Sequence, residues 1–228
     1  MPFATKYYAH RGLHSPGVPE NSAAALMAAK AAGYGAELDI RLDGGGEIVV
    51  FHDGDFLRMT GFDGAVHETP SAKVRELRLA GTDEDVPYFA ELAPRLAPMP
   101  LIVELKSCPL WTALCEKSLP ILRGYRGEAV MESFDPRIVR WFYKNAPDIK
   151  RGLLLSKVTN GSIFRRWFIN DRAVIRCCRP HFLAVSTEIE KSERVRRAVA
   201  TGLDLAVWTI REPSETEADA VIFEGYRP

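Results

Sequence analysis

Short β-branched and aromatic runs alternate with segments of helical spacing along this chain, and that alternation limits its fold more than any other feature. The strand candidates are KYYAH, YGAELDI, EIVVFH, LIVELK, EAVMESF, KRGLLLS, FLAVS, LAVWTI and ADAVIF. Most are separated by helix candidates: NSAAALMAAKAA, PYFAELAPRL, LWTALCEKSLPILRG, DPRIVRWFYKN, GSIFRRWFINDRAVIRC and KSERVRRAVATG. Several of these open on an Asn, Asp or Ser able to cap a first turn, and some close at glycine. Such alternation predicts a parallel sheet with helices outside it. At 228 residues the length suits one α/β barrel or two small domains, and we read residues 1–228 as one barrel domain.

Nine strands are one more than an eight-stranded barrel uses. Only DGGG separates EIVVFH from the strand carrying Glu37, too little for a helical crossover, so EIVVFH is the extra strand, paired as a hairpin. With the turn centred on Gly44 and Gly45, Asp43 opposes Gly46. The same register sets His52 directly across from Glu37, about 5 Å away at Cβ.

Thirty Lys plus Arg balance thirty Asp plus Glu. No global field therefore favours a nucleic-acid or stable membrane partner, and any anion site is local. FATKYYAH is too short and too aromatic for a signal-peptide core, and no window approaches the roughly 18 apolar residues of a membrane span. A cytoplasmic location is expected. Cys108, Cys115, Cys177 and Cys178 form no CxxC pair, and the adjacent two make a poor disulfide, so all four are read as small buried apolar residues in a reducing compartment.

The charges inside strands carry the chemistry. Glu37 and Asp39 are two residues apart and project to one face, while Leu38 and Ile40 take the other. Glu104 again ends a run apolar enough for a central barrel strand. Three buried carboxylates at the C-terminal ends of strands repel one another unless a cation joins them, and the C-terminal mouth is where barrel enzymes work. An all-oxygen set suits Mg²⁺ or Ca²⁺ better than zinc. His10 and His52 also end strands, and histidine is the residue type whose ordinary pKa suits proton transfer to oxygen near neutral pH. Arg11 and Lys106 flank the same region as a planar fork and a point cation, natural clamps for a phosphoryl group. Metal site, proton carriers and anion clamps together point to phosphoester chemistry.

In order, HRG, PEN, ELDIRLDGGGEIVVFHD, LRMTG, VELK, ESF and VWT resemble the glycerophosphodiester phosphodiesterase family, from residue 9 to about residue 210. The resemblance implies a TIM barrel with a small hairpin excursion after strand 2. It also implies hydrolysis of glycerophosphodiesters to sn-glycerol 3-phosphate and an alcohol. On that likeness His10 and His52 match the acid/base pair, and Glu37, Asp39 and Glu104 match the ligands of one divalent cation. Arg11 and Lys106 match phosphate-contacting positions. Glu20, in PEN, stands where it orients His10 or Arg11, and Trp208 walls the glycerol pocket. Alternatives are a related lysophospholipase D or phospholipase C-like activity on the same barrel, and a catalytically silent barrel that binds glycerophosphate.

Other residues take plainer readings. Asn21 caps the AAALMAAK helix, His14 and His67 lie in solvated loops, His181 is structural, and RVRRAVA is the exposed face of an amphipathic helix. REPSETE leaves a shortened last helix, and Phe223 with Glu224 stands where the family has Thr-Asp. That departure leaves the closing strand's contribution to the pocket open. The stretch from Asp53 to about Pro70 leaves little room for a lid, which favours small head groups such as glycerophosphocholine or glycerophosphoethanolamine.

Overall fold

The structure, a computed structural model, describes residues 2–157, 172–213 and 215–228. Its strands are β1 (Tyr7–Ala9), β2 (Gly35–Leu42), β3 (Ile48–Val50), β4 (Leu101–Leu105), β5 (Ala129–Ser133), β6 (Arg151–Leu155), β7 (Phe182–Ser186), β8 (Asp204–Ile210) and β9 (Ala220–Phe223). They hydrogen-bond in the order β1-β9-β8-β7-β6-β5-β4-β2, and β1 pairs back onto β2. Eight parallel strands thus close into a TIM barrel. β3 runs antiparallel on β2 outside the ring, so the hairpin excursion falls where the sequence put it.

Pleating divides each strand between two environments. Leu38, Ile40, Val103, Met131 and Leu153 point outward beneath the helices. Tyr8, Ile102, Val130, Leu154, Phe182 and Ile222 point inward and fill the lumen below the mouth. The outer layer includes the helices Ala23–Ala31, Phe89–Leu96, Trp111–Gly124, Pro136–Asn145, Arg172–Cys178 and Glu193–Val199. Ser22, Asp135 and Ser192 cap three of them, each accepting a first-turn N–H. Helix Pro136–Asn145 starts on a proline whose missing N–H costs nothing there and buries Ile138, Val139 and Phe142. Each such side chain contributes about 1.5–3 kcal/mol by leaving water. Between β8 and β9, where the short REPSETE stretch predicts a shortened helix, no helix occurs among the described residues. Of the helix predicted over 161–177, only the part from Arg172 lies within the described residues. No helix among them is long and apolar enough to cross a membrane.

Three expectations need correction. The β2–β3 ladder pairs Ile40 with Val50, Arg41 with Val49 and Leu42 with Ile48, one residue away from the predicted register. Gly46 at φ +81 extends the turn, and the Asp43 N–H donates to Glu47 rather than closing on Gly46. His52 and Glu37 are therefore not cross-strand partners. The excursion is also larger than predicted. Its short helices Leu57–Thr60 and Ser71–Val74 are too brief to register as periodicity, and they lie among Phe51, Phe56, Met59, Val66, Val74, Leu79 and Tyr88, an apolar cluster separate from the barrel's. Finally, Cys115 and Cys178 are buried as expected and Cys108 is half-buried, but Cys177 is exposed.

Candidate active site

The HRG tripeptide leaves the end of β1 in a left-handed turn, with Arg11 at φ 54 and Gly12 at φ 81. Glycine is required at the third position because a Cβ there would stand 2.6 Å from the backbone of Ala25 in the first outer helix. The turn aims the Arg11 N–H at Glu37 Oε2, 3.1 Å away. His10 stays at the strand end, its Nε2 3.9 Å from Glu37 Oε2.

Glu37 and Asp39 project inward from β2, and Asp39 is in register with Glu104 on β4. Carboxylate oxygens of Glu37, Asp39 and Glu104 all lie within 4.8 Å of one another, and all three residues are buried. Lys106 Nζ sits 2.8 Å from both Asp39 Oδ1 and Glu104 Oε2. Arg11 Nε lies 3.4 Å from Asp39 Oδ2, and its Nη1 donates to Glu20 Oε1 at 2.8 Å. Glu132 on β5 is the register partner of Glu104 and a fourth buried carboxyl facing inward.

The charge balance of this cluster is uneven. Burial alone would raise Asp39, but Lys106, Arg11 and His52 hold it well below the usual carboxylate range. Burial, followed by Asp39, Glu104 and Glu132, pushes Glu37 well above that range. Burial pushes Glu104 up to about 7 despite Lys106. Glu132 is raised well above its ordinary value, first by burial and then by Glu104. A buried, close-set group of oxygen donors on Glu37, Asp39 and Glu104 has the composition of a site for a metal ion.

His52 reaches the site by a different route from the one predicted. In a continued ladder it would face the side of Leu38, but β3 ends at Val50 and the last ladder-like bond runs from the Phe51 N–H to the Asp39 carbonyl. Beyond that point the chain turns, and the His52 ring lines the same cavity as His10. Its Nδ1 lies 2.6 Å from Asp53 Oδ1. Burial lowers the His52 pKa, aided by Lys106 and Arg11 and opposed by Asp39 and Asp53. Arg58 bonds both Asp53 and Glu20, so a continuous chain of opposite charges links His52 to Arg11.

His10, Arg11, Glu37, His52, Glu104 and Lys106 line one cavity of about 150 Å³, and Trp208 and Glu132 share its wall. Glu20 lies behind Arg11 and accepts a hydrogen bond from its guanidinium. Asn21 is no cap. Ser22 caps the helix, while Asn21, at φ 57, donates from Nδ2 to Asp39 Oδ2 at 2.8 Å and accepts the Asp39 N–H. His14 is not solvated in isolation either, because its Nε2 lies 3.6 Å from Glu224 Oε1. Glu224 Oε2 is 3.6 Å from His10 Nδ1, and these contacts with His10 and His14 hold Glu224 well below the usual carboxylate range. The atypical C-terminal segment thus does supply a carboxylate to the mouth. His181 accepts the Arg151 N–H far from this cluster, a structural role. Glu132 and Glu224 were both missed as site residues, although each stands at the end of an apolar strand just as Glu104 does.

The family profile described as "Glycerophosphoryl diester phosphodiesterase family" matches residues 10–224. A glycerophosphodiester phosphodiesterase of Caldanaerobacter subterraneus subsp. tengcongensis is 28% identical over 227 residues, covering 93% of this chain and 88% of that protein. Among solved structures, a phosphodiesterase of Oleispira antarctica in complex with the product sn-glycerol-3-phosphate superimposes with a TM-score of 0.81 at 25% identity, covering 96% of this chain and 92% of that one. A glycerophosphodiester phosphodiesterase of Thermotoga maritima does so with a TM-score of 0.75 at 27% identity, covering 95% and 93%.

Proposed function

The chain belongs to the glycerophosphoryl diester phosphodiesterase family, and from that premise we propose that it hydrolyses small glycerophosphodiesters to sn-glycerol 3-phosphate and an alcohol, with His10 and His52 as the proton carriers. The observation that carries this reading is the convergence of two imidazoles, two of the three acidic ligands and two cations on one cavity of about 150 Å³, with Asp39 directly behind.

A phosphodiester is an anion and repels an attacking oxygen. Arg11 and Lys106 offset that charge, and both are already paired with the buried Asp39 before substrate arrives. One imidazole then takes the proton of the attacking oxygen while the other protonates the departing alkoxide. His10 is steered by Glu37 and Glu224, and His52 by Asp53. A divalent cation, Mg²⁺ or Ca²⁺, held by Glu37, Asp39 and Glu104 supplies Lewis-acid stabilisation of the phosphoryl oxygens when bound. The partner in this reading is a small molecule, acted on in the cytoplasm.

One observation favours a second reading, cleavage of lysophospholipids. The exposed large hydrophobic residues among those described are Leu57, beside Arg58, and Leu110, in the loop that follows Lys106. A panel of glycerophosphodiesters and lysophospholipids, assayed for phosphomonoester release after chelation and then with each cation, separates the two. Release of sn-glycerol 3-phosphate from the water-soluble diesters supports the first reading. Release only from acylated substrates replaces it with the second.

A further inference from the structure

Three of the buried polar atoms that lack a hydrogen-bond partner lie on one arc of the barrel's inner face: Glu132 Oε2 on β5, Ser186 Oγ on β7 and Trp208 Nε1 on β8. Glu132 is only 1% exposed. It stands outside the three-carboxylate set that would hold a cation, and Arg11 and Lys106 make their ion pairs with other residues. Ser186 and Trp208 are register partners. Glu132 and Trp208 line the same cavity as the two histidines, next to the Phe134 ring, which meets the indole edge-on at 6.0 Å.

The backbone is shaped to keep this wall in place. The β8–β9 register slips between Trp208 and Ile210, and Thr209 adopts φ 58, a costly conformation for a β-branched residue. Bulges of this kind re-aim side chains beside active sites.

A buried carboxyl oxygen and a buried indole N–H left unpaired are each costly, and neither has a protein partner in the described residues. An indole nitrogen only donates. An ammonium group cannot accept from it, and an alkyl chain can satisfy neither atom. A hydroxyl both donates and accepts, and two adjacent hydroxyls serve both atoms at once. We propose that Glu132, together with Trp208, binds the hydroxyl groups of the polyol half of the diester and thereby selects a glyceryl group over other alcohols. The inference rests on the hydrolase reading above and adds the residue that makes its choice of substrate. Phe134 supplies an apolar surface for the polyol's carbon chain.

The test measures binding of sn-glycerol 3-phosphate and of ethyl phosphate, which lacks the hydroxyls, by calorimetry with saturating Mg²⁺ or Ca²⁺. Glu132→Leu is expected to weaken sn-glycerol 3-phosphate roughly ten-fold or more, the usual effect of stranding one hydrogen-bonding group, while leaving ethyl phosphate unchanged. Glu132→Gln, which keeps an oxygen at the same place, is expected to stay within about three-fold of the parent for both ligands. Trp208→Phe, which keeps a ring but loses the N–H, is expected to reproduce the selective loss and stands in if the leucine variant fails to fold. Unchanged preference in the leucine and phenylalanine variants, or equal loss of both ligands, overturns the assignment. Parallel turnover of glycerophosphocholine by the parent enzyme keeps the two conclusions apart: no turnover overturns the hydrolase reading, whereas turnover with unaltered preference overturns only the role of Glu132.

Discussion

Asp39 is held ionised in a place where its neighbours are driven toward the neutral form. The difference lies in partners, since Asp39 receives Lys106, Arg11 and Asn21 while Glu37 receives one backbone N–H and the approach of His10. For Glu104, pushed up to about 7 from 4.5, the folded protein holds its proton more tightly than the unfolded chain. Its charge therefore costs stability increasingly as pH rises from about 4.5 to about 7, and Glu37 and Glu132 act in the same direction. Asp39 and Glu224 do the opposite, adding stability above the unfolded value and losing it as pH falls. His52 and His181, both lowered, also lose stability as pH falls below 6.5, so the total curve mixes signs. The increment in melting temperature on adding saturating Mg²⁺ or Ca²⁺ removes the groups common to both states. It is expected to be larger at pH 8 than at pH 5.5, because protons compete for the same oxygens. Equal increments at both values contradict the proposed ligand set. His52→Ala is expected to slow turnover by roughly 10²–10⁴ with little change in melting temperature, since the ring is half-buried at the cavity rim. Near-parental rates remove it from the chemistry.

At the scale of elements, HRG is one device. The strand ends at the imidazole, the left-handed turn points the Arg11 amide at Glu37, and Gly12 lets the turn press against the first helix. Gly12→Ala is expected to destabilise the fold by about 2 kcal/mol or more, a loss of at least ~4 °C in melting temperature for a chain of this size. An unchanged melting curve contradicts the close packing. Such devices were legible because inward carboxylates interrupt otherwise apolar strands, and alternation fixes their side. The hairpin was legible in existence but not in register, since nothing in a run of three glycines says which one adopts the left-handed conformation. Asn21 was misread because a residue before a helix has two possible partners, the helix amides or a strand across the loop, and only the packing of β2 against that loop decides. Glu132 and Glu224 lay open to the same alternation rule that found Glu104.

Across the whole molecule, the ring of eight parallel strands brings together residues from position 10 to position 224, and the closure of β1 on both β2 and β9 is what makes them neighbours. The strand-helix alternation predicted that ring from the sequence, whereas the extent of the Phe51–Tyr88 excursion escaped because its helices are four residues long. Chelation is expected to abolish turnover and Mg²⁺ or Ca²⁺ to restore it. Cation at a hundred times its dissociation constant should add about 2.7 kcal/mol of stability, read as a shift in the denaturant midpoint. Turnover that persists in chelator rules out the cation.

The two imidazoles have different foundations: His10 is anchored in the ring, whereas His52 hangs from the excursion and its small separate apolar cluster. Warming that loosens only the lesser unit draws the two histidines apart while the cylinder still stands. Inactivation then precedes loss of helical signal, and amides around Phe56 and Val74 exchange with solvent sooner than those of Val103 or Val185.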